Sequence, residues 1–372
     1  MPSLKGKPKK NMLDPNQHKS RINHPLTWFS GFGFLAICLY LLWIGKAILQ
    51  PLFIAGFLVL ILSSLADFFS RIKIANRQLP SMFCYLLALI LVGGGLLLMA
   101  EIIIGNIARL HSNIGLYQDN IKTLLANLSK EYEIIELPSL QDLIGLISFE
   151  SWLGKLAGGF TQFAGDLFSV ILFSIFILLE RTSLNRKLGY IAGSKAKEQT
   201  LRHSIRSVVH MIENYLGVKT LLSLATAATS FAILAWFDLD FAGFWALLIF
   251  LMNFIPYIGS VIAVLFPICF SLVQFADPSH ILLLSLGLIA TQIIIGNFLE
   301  PRVMGQSLNI SPLTLLLTLA VFAAIWGIIG MILAIPFTVM LLVLCAQFPQ
   351  TRLIAIFISA DGKIDHLYPS ND

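Results

Sequence analysis

The sequence predicts an all-α polytopic membrane protein. It has about eight membrane segments, two of them broken or re-entrant hairpins, and a small helical extracytoplasmic insert. Three observations lead there. Apolar residues make up 57% of the chain and charged residues 12%, half of the roughly 25% charge usual in soluble domains. Several apolar runs approach the roughly 20 residues that cross about 30 Å of hydrocarbon. They are continuous and lack the period-two alternation of a transmembrane barrel. Finally, the runs 241–275 and 312–345 are too long for one ordinary span and are interrupted by proline and glycine.

The elements follow in order. Residues 1–25 form a basic tail, with Lys5, Lys7, Lys9, Lys10, Lys19 and Arg21 against Asp14. Residues 26–103 hold three spans: about 26–45, about 51–69 after a turn at Gln50-Pro51, and about 80–103 after the basic loop of Arg71, Lys73 and Arg77. Gly93-Gly94-Gly95 inside the third weakens its helix and permits a close neighbour. The long apolar first run lacks a small-x-small cleavage site and reads as a retained span. Residues 104–157 gain acids (Asp119, Glu131, Glu133, Glu136, Asp142, Glu150) and become amphipathic, which predicts a helical insert on the far side. A fourth span occupies 158–180.

Segment 181–215 orients the chain. Arg181, Arg186, Lys187, Lys195, Lys197, Arg202 and Arg206 face only Glu198 and Glu213, so this arm is expected in the cytoplasm. From Lys197 to Tyr215 it reads as an amphipathic helix on the membrane face, with Leu201, Ile205, Val208, Val209 and Ile212 on one side. Residues 216–345 make a C-terminal core that opens with a span at 216–236, and 346–372 form a cytoplasmic tail. The net charge of +5 sits in short blocks between apolar runs, as topology signals do, and not in a nucleic-acid patch.

The two overlong runs admit two forms: one kinked, tilted helix each, or a hairpin of two short segments meeting near Gly259 and near Gly327–Gly330. In the hairpin form Asp277 falls outside and Arg302 inside, the arrangement that positive-inside statistics prefer. The runs share a layout, Tyr257–Gly259–Pro267 beside Trp326–Gly327–Pro336, which suggests an internal repeat. Broken backbone at membrane depth is tolerated where it is buried in protein or lines a cavity. That is the mark of a protein that moves a solute.

The candidate residues cluster in these stretches. Proline in a helix removes a donor and frees carbonyls one turn back. Asn253 or Tyr257 could satisfy them or present polar groups to a solute. Gln292 and Asn297 offer further hydrogen bonds. Pro256, Gly259, Gly327, Gly330 and Pro336 permit breaks and gating movement. Glu300 is either an intramembrane carboxylate that carries a coupling proton or ion, or half of an interfacial ion pair with Arg302. Lys46 and Lys219 are expected to snorkel. The four cysteines, Cys38, Cys84, Cys269 and Cys345, lie far apart in apolar runs and suggest neither disulfides nor a metal site. No HExxH, GxSxG or Walker A stretch is present. An enzyme, a cofactor and ATP drive are therefore not expected.

The stretches Asn253-Phe-Ile-Pro-Tyr-Ile-Gly259, Gly296-Asn297 through Glu300-Pro301-Arg302-Val303-Met304-Gly305, and Trp326-Gly327-Ile-Ile-Gly330-Met331 with Ala334-Ile335-Pro336 resemble the autoinducer-2 exporter (AI-2E) family of bacterial permease-like proteins. Glu213-Asn214-Tyr215-Leu216 fits too. One departure is Ser260-Val261, where many members carry a proline after the glycine. The resemblance implies a multi-pass protein of the bacterial inner membrane with both termini cytoplasmic. It also implies homo-oligomeric assembly, with a pentamer as one form. For the member that names the family it implies export of autoinducer-2, a quorum-sensing signal; other members have been linked to sodium/proton exchange. The expected partners are a small-molecule solute and the lipid bilayer. The expected function is secondary export of a small polar solute. The alternatives are a monovalent cation/proton antiporter and a non-transporting scaffold that recruits partners through 104–157 or 181–215.

Overall fold

The computed structural model describes residues 24–71, 73–74, 77–99, 101–102, 105–106, 120, 149–275, 277–304, 309–348 and 351–364. Most of the insert expected at 104–157, nearly all of the 1–25 tail and the last residues of the 346–372 tail lie outside them. The chain divides after Gln50 into two units. In the first, helix α1 (His24–Ile44) is uniformly apolar and leaves Phe34, Tyr40, Leu41 and Trp43 exposed, the distribution expected of a lipid-facing rod. Helix α2 begins at Lys46 and runs to Ser70. The break therefore falls at Gly45, and Pro51 lies inside α2, not at the turn expected from Gln50-Pro51. Proline is the poorer helix former in free solution, but an apolar neighbourhood can hold a proline-containing helix together.

In the second unit, a two-residue antiparallel ribbon pairs β1 (Lys73–Ile74) with β2 (Arg77–Gln78). It leads into α3 (Ser81–Met99). Leu62 and Ala66 of α2 pack on Cys84 and Ala88 of α3. Among the described residues a Cβ at Gly93, Gly94 or Gly95 would meet nothing within 4 Å, so no described helix uses the close approach these glycines allow. Helix α4 (Phe149–Ala192) and helix α5 (Lys195–Trp236) follow. The amphipathic arm and the fifth span are thus one continuous 42-residue helix. Nothing between Tyr215 and Val218 stops it except Gly217, which costs only about 1 kcal/mol in a helix interior.

Helices α6 (Ala242–Met252) and α7 (Ile258–Gln274) form an antiparallel hairpin. The far end of α7 returns to the start of α6: the Gln274 amide donates to the Asp238 carbonyl at 2.8 Å and accepts from the Asp240 N–H at 2.7 Å. Phe270 packs on Phe241 and Trp245, inside a core that includes Leu234, Leu248, Leu284 and Leu288. At 1.5 Å per residue the α6 leg spans only about 16 Å, half a bilayer.

Helix α8 (Pro278–Gln292) continues through a seven-residue π-helical stretch, Ile293–Leu299, into the short α9 (Glu300–Met304). Asp277 caps α8 by accepting from the Ser279 N–H at 2.9 Å. Pro312–Gln347, α10, is interrupted at Gly327, whose φ of 63° and ψ of −140° are not helical. The legs 312–326 and 328–347 fold back on each other, and Phe322 stacks on Phe337 at 4.4 Å. The base of this second hairpin is tied by the Ser311 N–H to the Ile358 carbonyl at 2.8 Å, at the end of α11 (Arg352–Ile358). Among the described residues five helices are long and apolar enough to cross a membrane, and three shorter apolar ones accompany them. This is a multi-pass membrane protein.

Candidate functional site

The two hairpins approach the middle of α5 from opposite ends. The first has its base beside Trp236, at Asp238–Asp240. The second has its base in a cluster of Leu342, Val343, Ala346, Ile358 and Ile364 that packs against Val208 and Met211 of α5. They meet where Ile255 of the first tip packs on Leu319 and Ala334 of the second hairpin.

Tight geometry makes both turns. At the first tip the Ile258 N–H donates to the Pro256 carbonyl at 2.6 Å across Tyr257, whose φ is 59° and ψ −54°. This is a γ-turn of positive φ, a strained conformation for a non-glycine residue. A Cβ at Gly259 would lie 1.8 Å from the Met252 carbonyl oxygen, so only glycine closes the turn. Gly330 has the same role in the second hairpin, where a Cβ would lie 2.0 Å from the Phe322 carbonyl oxygen. Gly327 supplies the break itself in a backbone region open essentially to glycine alone. The structural counterpart of Gly259 is thus Gly330, one turn beyond the Gly327 that sequence layout aligns with it. Pro336 is buried inside the second leg, away from the break.

Between the hairpins, α5 presents a polar seam. Tyr215, Lys219, Ser223, Thr226 and Ser230 recur every three or four residues and therefore share one face. None is more than 4% exposed. The Asn253 amide at the first tip donates to Ser223 Oγ at 3.1 Å. Thr226 donates back to the Leu222 carbonyl at 2.8 Å. Lys219 Nζ lies 2.6 Å from Glu300 Oε1. Tyr215 Oη, Ser230 Oγ and Gln292 Oε1 are buried with no hydrogen-bond partner among the described residues. The other end of the Gln292 amide faces the Ser260 carbonyl at 3.5 Å.

The site residues expected from sequence divide into two groups. Asn253 and Gly259 are buried, Pro256, Gln292 and Glu300 half-buried, and they gather around the first tip and the middle of α5. Tyr257, Asn297 and Arg302 are exposed. Glu300 pairs with Lys219, where the sequence suggests Arg302; among the described residues Arg302 makes no ion pair. Lys219 does not snorkel: its side chain is buried and paired with Glu300. The π-helical stretch inserts one residue per turn relative to an α-helix, and such stretches recur at functional sites. It sets the direction in which Glu300 leaves the helix. The sequence signal for the seam was the spacing of Lys219, Ser223, Thr226 and Ser230. No group of three or more histidine, cysteine, aspartate or glutamate side chains that could hold a metal occurs among the described residues.

A multi-pass helical protein with two broken hairpins facing each other across a buried polar seam is a membrane transport protein in architecture. The model of the AI-2E family transporter family matches residues 32–350, and the chain belongs to that family. It is 28% identical over 335 residues to the AI-2 transport protein TqsA of Escherichia coli (strain K12), covering 89% of this chain and 95% of that protein. A protein of Borreliella burgdorferi with a transport-protein name is 28% identical over 344 residues, 90% of this chain and 92% of its own. Another such protein, from Haemophilus influenzae, is 32% identical over 205 residues, 54% of this chain and 58% of its own. The chain is a transporter, and transport proteins of this kind are not enzymes.

Proposed function

We propose that the chain exports a small, polar, hydroxyl-rich solute across the bacterial inner membrane, with autoinducer-2 or a related metabolite as the cargo. The observation that carries this reading is the seam: Asn253, Ser223, Ser230 and Gln292 place neutral donors and acceptors in a dry interior where two hairpin tips meet. Unpaired polar atoms there cost free energy unless a ligand satisfies them. The naming of TqsA for AI-2 transport supports the cargo class. The basic arm 181–215 favours a cytoplasmic location for the Lys195 end of α5, with both termini on that side. The first hairpin then enters from outside and the second from inside. Tyr257 and Asn297 complete the path at the outer faces of the tip, Glu300 carries the coupling ion, and the protein works as a homo-oligomer. A second reading, monovalent cation/proton antiport, draws on one observation, the half-buried Glu300 carboxylate.

Purified protein in vesicles loaded with autoinducer-2 tests the first reading. Release should exceed that of protein-free vesicles and respond to a pH gradient. Asn253→Ala or Gln292→Ala should slow it about tenfold, the equivalent of one buried hydrogen bond to the solute. Release that ignores both substitutions in folded protein sinks the assignment of the seam.

A further inference from the structure

The Lys219–Glu300 pair joins α5 to α9 across 81 residues of sequence at 2.6 Å, with the lysine side chain 6% exposed and the glutamate side chain 23% exposed. Two of its surroundings matter. Tyr215 lies one helical turn before Lys219 on the same face, and its hydroxyl is buried without a partner among the described residues. The π-helical stretch that precedes Glu300 contributes only isoleucine, glycine, asparagine, phenylalanine and leucine. Lys219 on α5 contacts Glu300, Tyr215 lies one turn before that lysine, and the exposed Arg302 is on Glu300's own helix.

We infer that the Lys219 ammonium is a tethered cation that occupies the position at Glu300 a coupling alkali-metal ion would take, so that the ion exchanged at this carboxylate is a proton. The inference rests on Glu300 as the coupling group of the proposed transport cycle and names the ion. A buried carboxylate that binds sodium needs its negative charge free and further oxygens around the ion. Here the charge is already neutralised by a nitrogen at contact distance, and a second cation in the same interior would be left without a counter-charge. A proton leaves the same net charge but needs no shell of oxygens around it. It bonds to a Glu300 oxygen, and the pair goes from neutral to a single positive charge that remains on Lys219. The ammonium then needs another acceptor, and Tyr215 Oη, on the same face one turn away, provides it. Loss of the proton to water restores the ion pair. The buried Tyr215 hydroxyl thus gains a role, as the partner of Lys219 in the protonated state.

Thermal unfolding of the full-length protein in detergent tests this without knowledge of the cargo. In sodium or lithium chloride and in choline chloride at equal ionic strength, the wild-type melting temperature should be the same. Lys219→Met exposes the Glu300 charge. Sodium should then raise its melting temperature over choline by about 3 °C or more, and the effect should vanish in Lys219→Met/Glu300→Gln. Sodium-specific stabilisation of the wild type that disappears in Glu300→Gln overturns the inference, as does a folded Lys219→Met protein indifferent to sodium. Should Lys219→Met not fold, vesicles containing wild-type protein and an entrapped pH dye decide the matter: an imposed sodium gradient should leave internal pH unchanged, and a sodium-driven pH change overturns it. Neither assay depends on Asn253 or Gln292, so failure of the solute path and failure of the tethered cation give different results.

Discussion

Phe322 and Phe337 lie fifteen residues apart in sequence, yet their rings stack with centroids 4.4 Å apart and planes 13° apart. A straight helix would separate them by about 22 Å. The fold-back at Gly327 brings them together, and Trp326 and Phe53 close the same aromatic cluster. The second overlong run is thus a hairpin, as is the first, and the close backbone approaches at Gly259 and Gly330 hold the pair shut.

Those approaches predict a sharp difference among glycines. Gly259→Ala and Gly330→Ala force a methyl group into backbone carbonyls 1.8 and 2.0 Å away and should each destabilise by about 2–3 kcal/mol or prevent folding. Gly327→Ala pays for its positive φ, about 1–3 kcal/mol. Gly94→Ala, with no atom within 4 Å, should stabilise by about 0.5–1 kcal/mol, the helix-propensity difference. Melting temperatures in detergent rank the four.

Insertion of one alanine between Leu299 and Glu300 should add a residue to the helix just beyond the π-helical stretch. Every residue beyond it then turns by about 100° relative to α8, and Glu300 leaves Lys219. Export of autoinducer-2 should fall to the protein-free rate. Melting should also shift down, because Lys219 is left buried and unpaired, a loss of about 3–5 kcal/mol in buried pairs. An unchanged melt would show that stability does not depend on Glu300 meeting Lys219.

The cap of α8 predicts a pH response at the water interface. Hydrogen bonds from His280 and then Ser279 lower the Asp277 carboxyl from its ordinary value of 3.8 to about 2. A carboxylate favoured in the folded state adds stability above its unfolded value, and that stability is lost as pH falls through the folded value. The gap in melting temperature between wild type and Asp277→Ala should therefore hold steady from neutral pH to about pH 4 and shrink as the pH nears about 2. A gap that closes near neutrality would contradict the cap.

Topology follows from the hairpins. If the chain turns back within 242–274, α8 crosses once and returns α9 to the side of the basic arm. A Met304→Cys variant on a background lacking the four native cysteines should react with a membrane-impermeant thiol reagent only in inverted vesicles. Reaction in intact, right-side-out cells would place α9 outside and refute the arrangement.

Much of this was legible in the residues. Runs of 35 and 34 apolar residues exceed any single span, and Pro256, Gly259, Gly327 and Gly330 mark where they turn. The particular duty of each breaker was not legible: Pro336 sits within a leg and Pro51 within α2, because packing can hold a proline that isolated propensity would reject. The seam on α5 was visible as a three-four spacing, but serine and threonine in a span carry no sign of which face is buried. Lys219 looked like an interfacial lysine because its partner is 81 residues away.

By itself the sequence determined the class of molecule and the two proline- and glycine-marked stretches where its overlong apolar runs turn. Those are consequences of hydrophobicity, charge and backbone chemistry, which act along the chain. Tertiary structure alone decided that both breaks are hairpins approaching from opposite ends, that their tips converge on the polar face of α5, and that Glu300 is neutralised by Lys219. These outcomes depend on which distant surfaces fit together, and burial turns an ordinary lysine and an ordinary glutamate into an obligatory pair.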